Sequence, residues 1–325
     1  MSEPTVSFVV LSYNFAPFLA ECVESILSQD GSHDFEIILV DDASTDDTEQ
    51  VLRSFRDPRL RVIRHADNQG HVATVNEALS YARGRYVARI DGDDRYHRHY
   101  LNSVLPLFSK FPEVGLIYGN AAVMDEHGRI NTETSDRVHK GTDHKGNELV
   151  ALLEQNFICA PTIVARREAW ENCLPVPQGL AFHDWYFTVM IARQHEFYYV
   201  DRVLADYRVH SGNHHTRIIR NKTEEPSILY LLARVFSEVE ASPDLEAAKR
   251  RAQCRIYGKH FLVLADKYFG MGMNTDARRC YLQAVRNRPA CLMSPGVQRR
   301  LAATIIGRGR YEFGKSLIRS VLARS

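Results

Sequence analysis

"YVARIDGDDRYHRHY", residues 86–100, sets a short β-rich run directly before three carboxylates, Asp91, Asp93 and Asp94. Like charges this close resist joint ionisation unless a cation or strong donors stand nearby. Gly92 removes a side chain that would hold a ligand away from the backbone. Oxygen-only ligands suit a hard divalent cation, Mn²⁺ or Mg²⁺, which fills its remaining positions with water and substrate phosphates. The competing reading is a solvated acidic turn with Arg95 and Arg98 as counter-charges.

Upstream, the same arrangement occurs twice more. The runs "VSFVVL" and "EIILV" lead into "LSYN", with Ser12, Tyr13 and Asn14, and into "VDDASTDDTEQ", with Asp41 and Asp42. Amphipathic helical stretches at 17–28, 45–55 and 72–82 separate these runs from "LRVI" and "YVARI". Strand and helix alternating at this spacing imply right-handed crossovers and an α/β fold, a mostly parallel sheet with helices on both faces. Ligands of such sheets lie beyond the carboxyl ends of the strands, where all three polar clusters fall.

Each cluster has a chemistry. The Tyr13 ring can stack on a flat heterocycle while Ser12 and Asn14 hydrogen-bond its rim, or the three can form a plain turn. Ser44 with Asp47 three residues on reads as a capping box, with Asp46 and Asp47 at the positive end of the helix. The cap does not account for Asp41 and Asp42. A carboxylate there can accept the imide N–H of uracil, and the alternative is an Asx-type turn.

The chain has 325 residues, formal net charge +1 and 45% hydrophobic residues, enough for one sizeable core and a smaller second unit, with no overall charge to suggest nucleic acid. Six scattered cysteines fit neither a zinc ribbon nor a stapled secreted domain and read as reduced thiols. The acidic start "MSEPTVSFVV" has no basic leader, and no apolar run reaches membrane-spanning length. A cytoplasmic location follows as the expectation. Residues 131–147, polar and charged, read as a mobile loop.

From about residue 221 the pattern becomes helical only, so the domain boundary is placed at 218/219, with residues 1–218 catalytic and 219–325 a helical C-terminal region. Within it, "YGKHFLVLADKYFGMGMNTDARRCYLQAVRNRP", 257–289, is patterned like one tetratricopeptide helix pair. The end, "RRLAATIIGRGRYEFGKSLIRSVLARS", is basic and amphipathic. It reads as a peripheral contact with an anionic membrane face or lipid-linked acceptor, or as a packed tail with a solvated face.

Taken together in this order, "SYN", "VDDASTDDT" and "DGDD" resemble glycosyltransferase family 2, inverting nucleotide-sugar transferases of the GT-A fold. "DNQGHVATVNEAL" with Asn76, "HDW" at 183–185 and "YRVHSGN" at 207–213 extend the resemblance over about residues 4–216. It implies that Ser12, Tyr13, Asn14, Asp41, Asp42, Asn76, Asp91 and Asp93 bind the nucleotide, and that Asp93, Asp94 and His210 hold the metal. Asp184 matches the presumed general base, although His183 precedes it where the family has glutamate. Val75 stands where members often carry a basic residue, which leaves the positive partner of the diphosphate open, with His71 or a basic residue further along as candidates. The expected partners are a nucleoside-diphosphate sugar, with UDP favoured, and a glycan or lipid-linked acceptor in surface polysaccharide or glycolipid synthesis. The residues themselves support Asp184, which sits among Phe182, Trp185 and Tyr186 where desolvation strengthens a base, although a helix N-cap is the plainer role. Two other functions remain: a nucleotidyltransferase, which usually needs a Gly-rich basic loop that "LSYNFAPF" lacks, and a non-catalytic nucleotide-sugar sensor, which would need no base.

Overall fold

A computed structural model describes residues 3–135, 138–210 and 221–307. The chain divides into two compact units, Met1–Asn213 and His214–Ser325. The first opens as an alternation: β1 (Val6–Ser12), α1 (Ala16–Leu27), β2 (Phe35–Asp41), α2 (Thr48–Ser54), β3 (Leu60–Arg64), α3 (His71–Ser80) and β4 (Tyr86–Asp91). It continues with β5 (Arg95–Tyr96), α4 (Tyr100–Lys110), β6 (Val114–Met124), β7 (Ile130–Thr132), β8 (His144–Gly146) and α5 (Leu149–Glu154). The unit then runs through β9 (Val164–Arg166), α6 (Arg167–Glu171), α7 (His183–Ala192) and β10 (Glu196–Arg208).

Among the described residues, all ten strands join one sheet, in the order β3-β2-β1-β4-β9-β6-β10-β5, with β7 on β6 and β8 on β10. The pairs β1/β2, β1/β4, β2/β3 and β6/β10 are parallel. Every residue of β1 is buried, which is why its sequence is continuously apolar instead of alternating. Phe8, Val10, Ile37, Leu39 and Ile90 from the strands pack with Leu19 and Val23 of α1 and Tyr100 and Val104 of α4 in one hydrophobic cluster. Each such side chain contributes about 1.5–3 kcal/mol on burial.

The sheet positions the site through one reversal. From β1 the chain winds outward through β2 and β3, then returns to the other flank of β1 as β4. Such a switch opens a crevice beyond the strand ends. Register fills it: Ser12 lies opposite Asp41, and Leu11 opposite Asp91, so the three motif-bearing ends finish side by side.

Three local expectations are corrected. The helix anticipated over 45–55 begins at Thr48, and Ser44 does not cap it. Instead the Asp46 carboxylate accepts from the Thr48 N–H at 3.1 Å and from the Ala16 N–H at 3.0 Å, tying α2 to the start of α1. Residues 131–147 are not simply a loop: β7 pairs with β6, and β8 pairs with β10 through Phe197–Gly146 and Tyr199–His144. Lys145 Nζ bridges Glu113 and Glu196 at 2.6 and 2.7 Å, a tertiary tether that compensates for the weak strand propensity of "HKG". The Gly92 site, finally, is already full: a Cβ there would stand 2.8 Å from Leu19 Cδ1, so the glycine admits α1 and not a ligand.

The second unit contains α8 (Glu224–Ser237), α9 (Pro243–Gly270), α10 (Asn274–Asn287) and α11 (Pro295–Ile306). The stretch 257–289 forms the second half of α9 and all of α10. The two helices approach closely at Gly258, where a Cβ would meet Arg288 Cβ at 2.8 Å. Of the basic C-terminal run, residues 308–325 lie outside the described residues. No helix among the described residues is long and apolar enough to cross a membrane.

Candidate active site

At the end of β1, Tyr13 leaves the sheet with its ring 44% exposed, while Ser12 is buried and its hydroxyl has no hydrogen-bond partner. Asn14 takes a left-handed conformation at φ 58°, which asparagine tolerates better than most residues. Its N–H donates to Ser44 Oγ at 2.8 Å and its Oδ1 accepts from the Thr45 N–H at 2.8 Å, so the ends of β1 and β2 are stitched together. An aromatic face on a rigid, partly unsatisfied polar floor results.

The two carboxylates at the end of β2, Asp41 within it and Asp42 just after, are both engaged. Asp41 Oδ1 accepts from the backbone and hydroxyl of Ser44, and its buried Oδ2 lies 3.2 Å from Arg64 Nε. Asp42 accepts from His65 Nδ1 at 2.7 Å, the Gln69 N–H at 2.7 Å and the Gly70 N–H at 2.9 Å. Asp42 therefore fastens the "DNQG" loop, whose Gly70 needs φ 82°. Burial disfavours a charged His65, yet its hydrogen bonds to Asp42 and Glu77 outweigh that and raise its pKa. Asn76, expected at the nucleotide, closes a reciprocal pair with the Val176 backbone at 3.0 and 2.8 Å, clasping α3 to the segment before α7.

The acidic turn is the densest part of the crevice. Asp91, Asp93 and Asp94 each offer an oxygen within 4.8 Å of the others. Burial, and then the charges of Asp93 and Asp91, push the Asp94 carboxyl well above the ordinary range. Burial also raises Asp93, against the opposing pull of His210, whose Nε2 stands 2.9 Å from Asp93 Oδ2. Three carboxylates whose negative charge is disfavoured by burial and by one another are suited to a divalent cation, and their all-oxygen donor set is that of Mg²⁺ or Mn²⁺. His210 stands at the edge of this group, held against the Phe18 ring at 5.2 Å.

Two arginines that sequence reading passed over organise the turn. Arg89, 3% exposed within β4, donates through Nη2 to Asp91 Oδ1 and to His71 Nε2, the latter at 2.9 Å. Its Nε is buried without a partner. Arg208 of β10, also buried, donates its backbone N–H to Asp94 Oδ1 at 2.8 Å and its Nε to the Asp93 carbonyl at 2.7 Å. A signal existed for Arg89, which lies two residues before Asp91 in β4 and so shares its strand face, and Arg208 ends β10 two residues before His210.

From Arg89 the polar chain continues to the candidate base. His71, the first residue of α3, lies 3.2 Å from His183 Nε2, the first residue of α7. Asp184 follows in that first turn and accepts from Asn156 Nδ2 at 3.1 Å. Its carboxylate is half-buried, not sealed among Phe182, Trp185 and Tyr186 as the sequence suggested. The plainer N-cap role falls to Phe182, with no side-chain cap at all. Asp91, Arg89, His71, His183 and Asp184 are thus successive neighbours, a polar chain that joins residues 112 positions apart at the His71–His183 contact.

A family model described as glycosyl transferase family 2 matches residues 7–174. A putative teichuronic acid biosynthesis glycosyltransferase, TuaG of Bacillus subtilis, is 38% identical over 105 residues, covering 32% of this chain and 41% of that protein. The chain spans between 41% and 66% of the length of the first curated relatives it matches. Among solved structures, S. aureus TarS 1–349 in complex with UDP-GlcNAc superposes with TM-score 0.65 at 17% identity, covering 87% of this chain and 81% of that one. The mannosyltransferase PcManGT from Pyrobaculum calidifontis, in complex with GDP-Man and Mn²⁺, gives TM-score 0.59 at 17% identity over 94% and 85%. These likenesses establish the GT-A fold.

Proposed function

This chain belongs to glycosyltransferase family 2, and on that premise we propose that it transfers a sugar from a uridine diphosphate donor to an acceptor hydroxyl, with inversion at the anomeric carbon. The observation that carries the proposal is the convergence of the strand ends, where Ser12 lies opposite Asp41 and Leu11 opposite Asp91, together with the contacts that run from Asp91 through Arg89, His71 and His183 to the first turn of α7, where Asp184 lies.

In this reading Tyr13 stacks on the base, and Ser12 Oγ and a carboxylate after β2 take its polar edge. Asp91, Asp93 and Asp94, with His210 beside them, hold Mn²⁺ or Mg²⁺, which supplies Lewis-acid neutralisation of the leaving diphosphate. Arg89 and His71 stand in for the basic residue missing at Val75: both border the carboxylate turn, Arg89 bonded to Asp91 and His71 bonded to Arg89 with its Nε2 3.8 Å from Asp91 Oδ1. Asp184 accepts the proton as the acceptor oxygen bonds the anomeric carbon. The bond to the diphosphate breaks with its electron pair leaving on that group, and no covalent enzyme adduct forms. The partly exposed carboxylate suits this role, since an acceptor must reach it; Asn156 fixes its orientation.

Surface polysaccharide or glycolipid synthesis is the context, supported by the teichuronic acid relative. Peripheral contact with anionic lipid belongs to the same reading, supported by Ile305 and Ile306, exposed at the end of α11 near Arg299. Asp184→Asn tests the chemistry. UDP affinity should stay within about twofold and turnover should fall about 10²-fold or more. Near-normal turnover would remove Asp184 from the reaction.

A further inference from the structure

A second cluster of donor atoms lies away from the carboxylate turn, where β8 and the segment before it close over β6. His139 Nε2 stands 2.7 Å from Tyr118 Oη and 3.1 Å from Glu148 Oε1. Glu148 Oε1 is in turn 3.2 Å from Tyr118 Oη and 3.7 Å from His144 Nε2. The two imidazoles are stacked, centroids 4.6 Å apart and planes 17° from parallel, and Tyr199 continues the stack beneath His139 at 4.7 Å. His139 and Glu148 are nearly buried, while the His144 side chain is 48% exposed.

Two imidazole nitrogens and one carboxylate oxygen, all within 4.8 Å of one another, are the donor set of a borderline-soft ion. Tetrahedral coordination at the bond lengths usual for zinc requires donor atoms about 3.4 Å apart along each edge. The edges from Glu148 to His139 and to His144, at 3.1 and 3.7 Å, lie on either side of that value. The half-exposed His144 gives the site an entrance.

We propose that His139, His144 and Glu148 bind one Zn²⁺ ion, with a solvent molecule as fourth ligand and Tyr118 Oη hydrogen-bonding beside Glu148. The ion fastens the stretch from His139 to β8 onto β6 and onto the start of α5. Just past the far end of α5, Asn156 holds Asp184 Oδ2 at 3.1 Å, and Phe157 packs its ring against Tyr118 and His139, centroids 6.2 and 6.3 Å away. The zinc therefore stiffens the wall that orients Asp184, a positioning role separate from the cation at Asp91, Asp93 and Asp94. The spacing His-x4-His-x3-Glu is visible in the sequence, but only the pairing of β8 with β10 converts it into a cluster.

The test is cobalt substitution in the untagged, chelator-stripped full-length protein. One equivalent of Co²⁺ should bind with the strong visible absorption of a four-coordinate site and should be displaced by Zn²⁺. His144→Ala, a change at a half-exposed residue that leaves the core intact, should weaken Co²⁺ at least about tenfold, and His139→Ala should do the same. Asp93→Asn with Asp94→Asn should leave the absorption unchanged, which separates this site from the one in the crevice. Absence of the band in the native protein, or a band indifferent to His144→Ala, overturns the proposal and leaves the glycosyltransferase reading untouched.

Discussion

Arg89 shows how a single buried charge can hold the candidate active site together. A guanidinium inside a parallel strand is costly unless paired, and its partners here are Asp91 and His71. Its planar fork reaches both, which a lysine ammonium in the same place would not do with the same geometry. Arg89→Met keeps the length and removes the charge, leaving three carboxylates without their nearest buried cation. The metal-free protein should lose about 1–3 kcal/mol, the usual worth of a charge-assisted hydrogen bond. Mn²⁺ should restore part of the loss. Urea unfolding with and without Mn²⁺ measures both effects, and an unchanged midpoint in the metal-free variant would show that Arg89 is not the counter-charge. The residue was legible as an oddity, an arginine in "YVARI", but its partner His71 is eighteen positions away and only the β1/β4 pairing and the entry of α3 bring them together.

Among the elements, three helices of the second unit, α8, α9 and α10, are joined by one carboxylate. Glu225 of α8 is nearly buried and accepts from Tyr268 Oη of α9 at 3.0 Å and from Arg279 Nη2 of α10 at 2.7 Å. The Arg279 hydrogen bond is the main cause of its lowered pKa, with Tyr268 adding to it against burial. A folded-state value below the unfolded one means that the unfolded chain takes up the proton first. This contribution is therefore present above the ordinary glutamate range and is lost as pH falls through the depressed value. Melting temperature should drop between about pH 5 and pH 3, and Arg279→Gln should make that drop shallower while costing about 1 kcal/mol near neutrality, since half-exposed Arg279 is screened by solvent. An identical acid profile in the variant would rule the clamp out. Elements of this kind are read easily from sequence because helical periodicity is local. β8 is the opposite case. "HKG" has no strand signal, and its conformation is imposed by β10 and by the two ion pairs of Lys145.

At the scale of the whole molecule, function follows from where the sheet reverses. The alternation of strands and helices in the first ninety or so residues was enough to anticipate a mostly parallel sheet, and the order of the three strand-end motifs was enough to identify the family. What could not be read was the second half of the sheet. β9 is inserted antiparallel between β4 and β6, and the thirteen-residue β10 spans from Lys145's partner Glu196 to Arg208 beneath the acidic turn. Those contacts join residues far apart in the chain, 51 positions for Lys145 and Glu196 and 114 for Asp94 and Arg208, and no local pattern encodes them. They help to explain why the turn is prebuilt: Asp94 is fixed by the Arg208 backbone and Asp93 by His210, while Asp91 is held locally by Arg89. A crevice so organised should bind a nucleoside diphosphate through a cation that its carboxylates share. Calorimetric titration of UDP, with and without Mn²⁺, into the native protein and into Asp93→Ala with Asp94→Ala, tests this most directly. The native protein should bind UDP at least about tenfold more tightly with Mn²⁺, and the double variant should bind it with the same affinity in both conditions. A double variant that keeps the full Mn²⁺ enhancement, or a native protein that shows none, would contradict it.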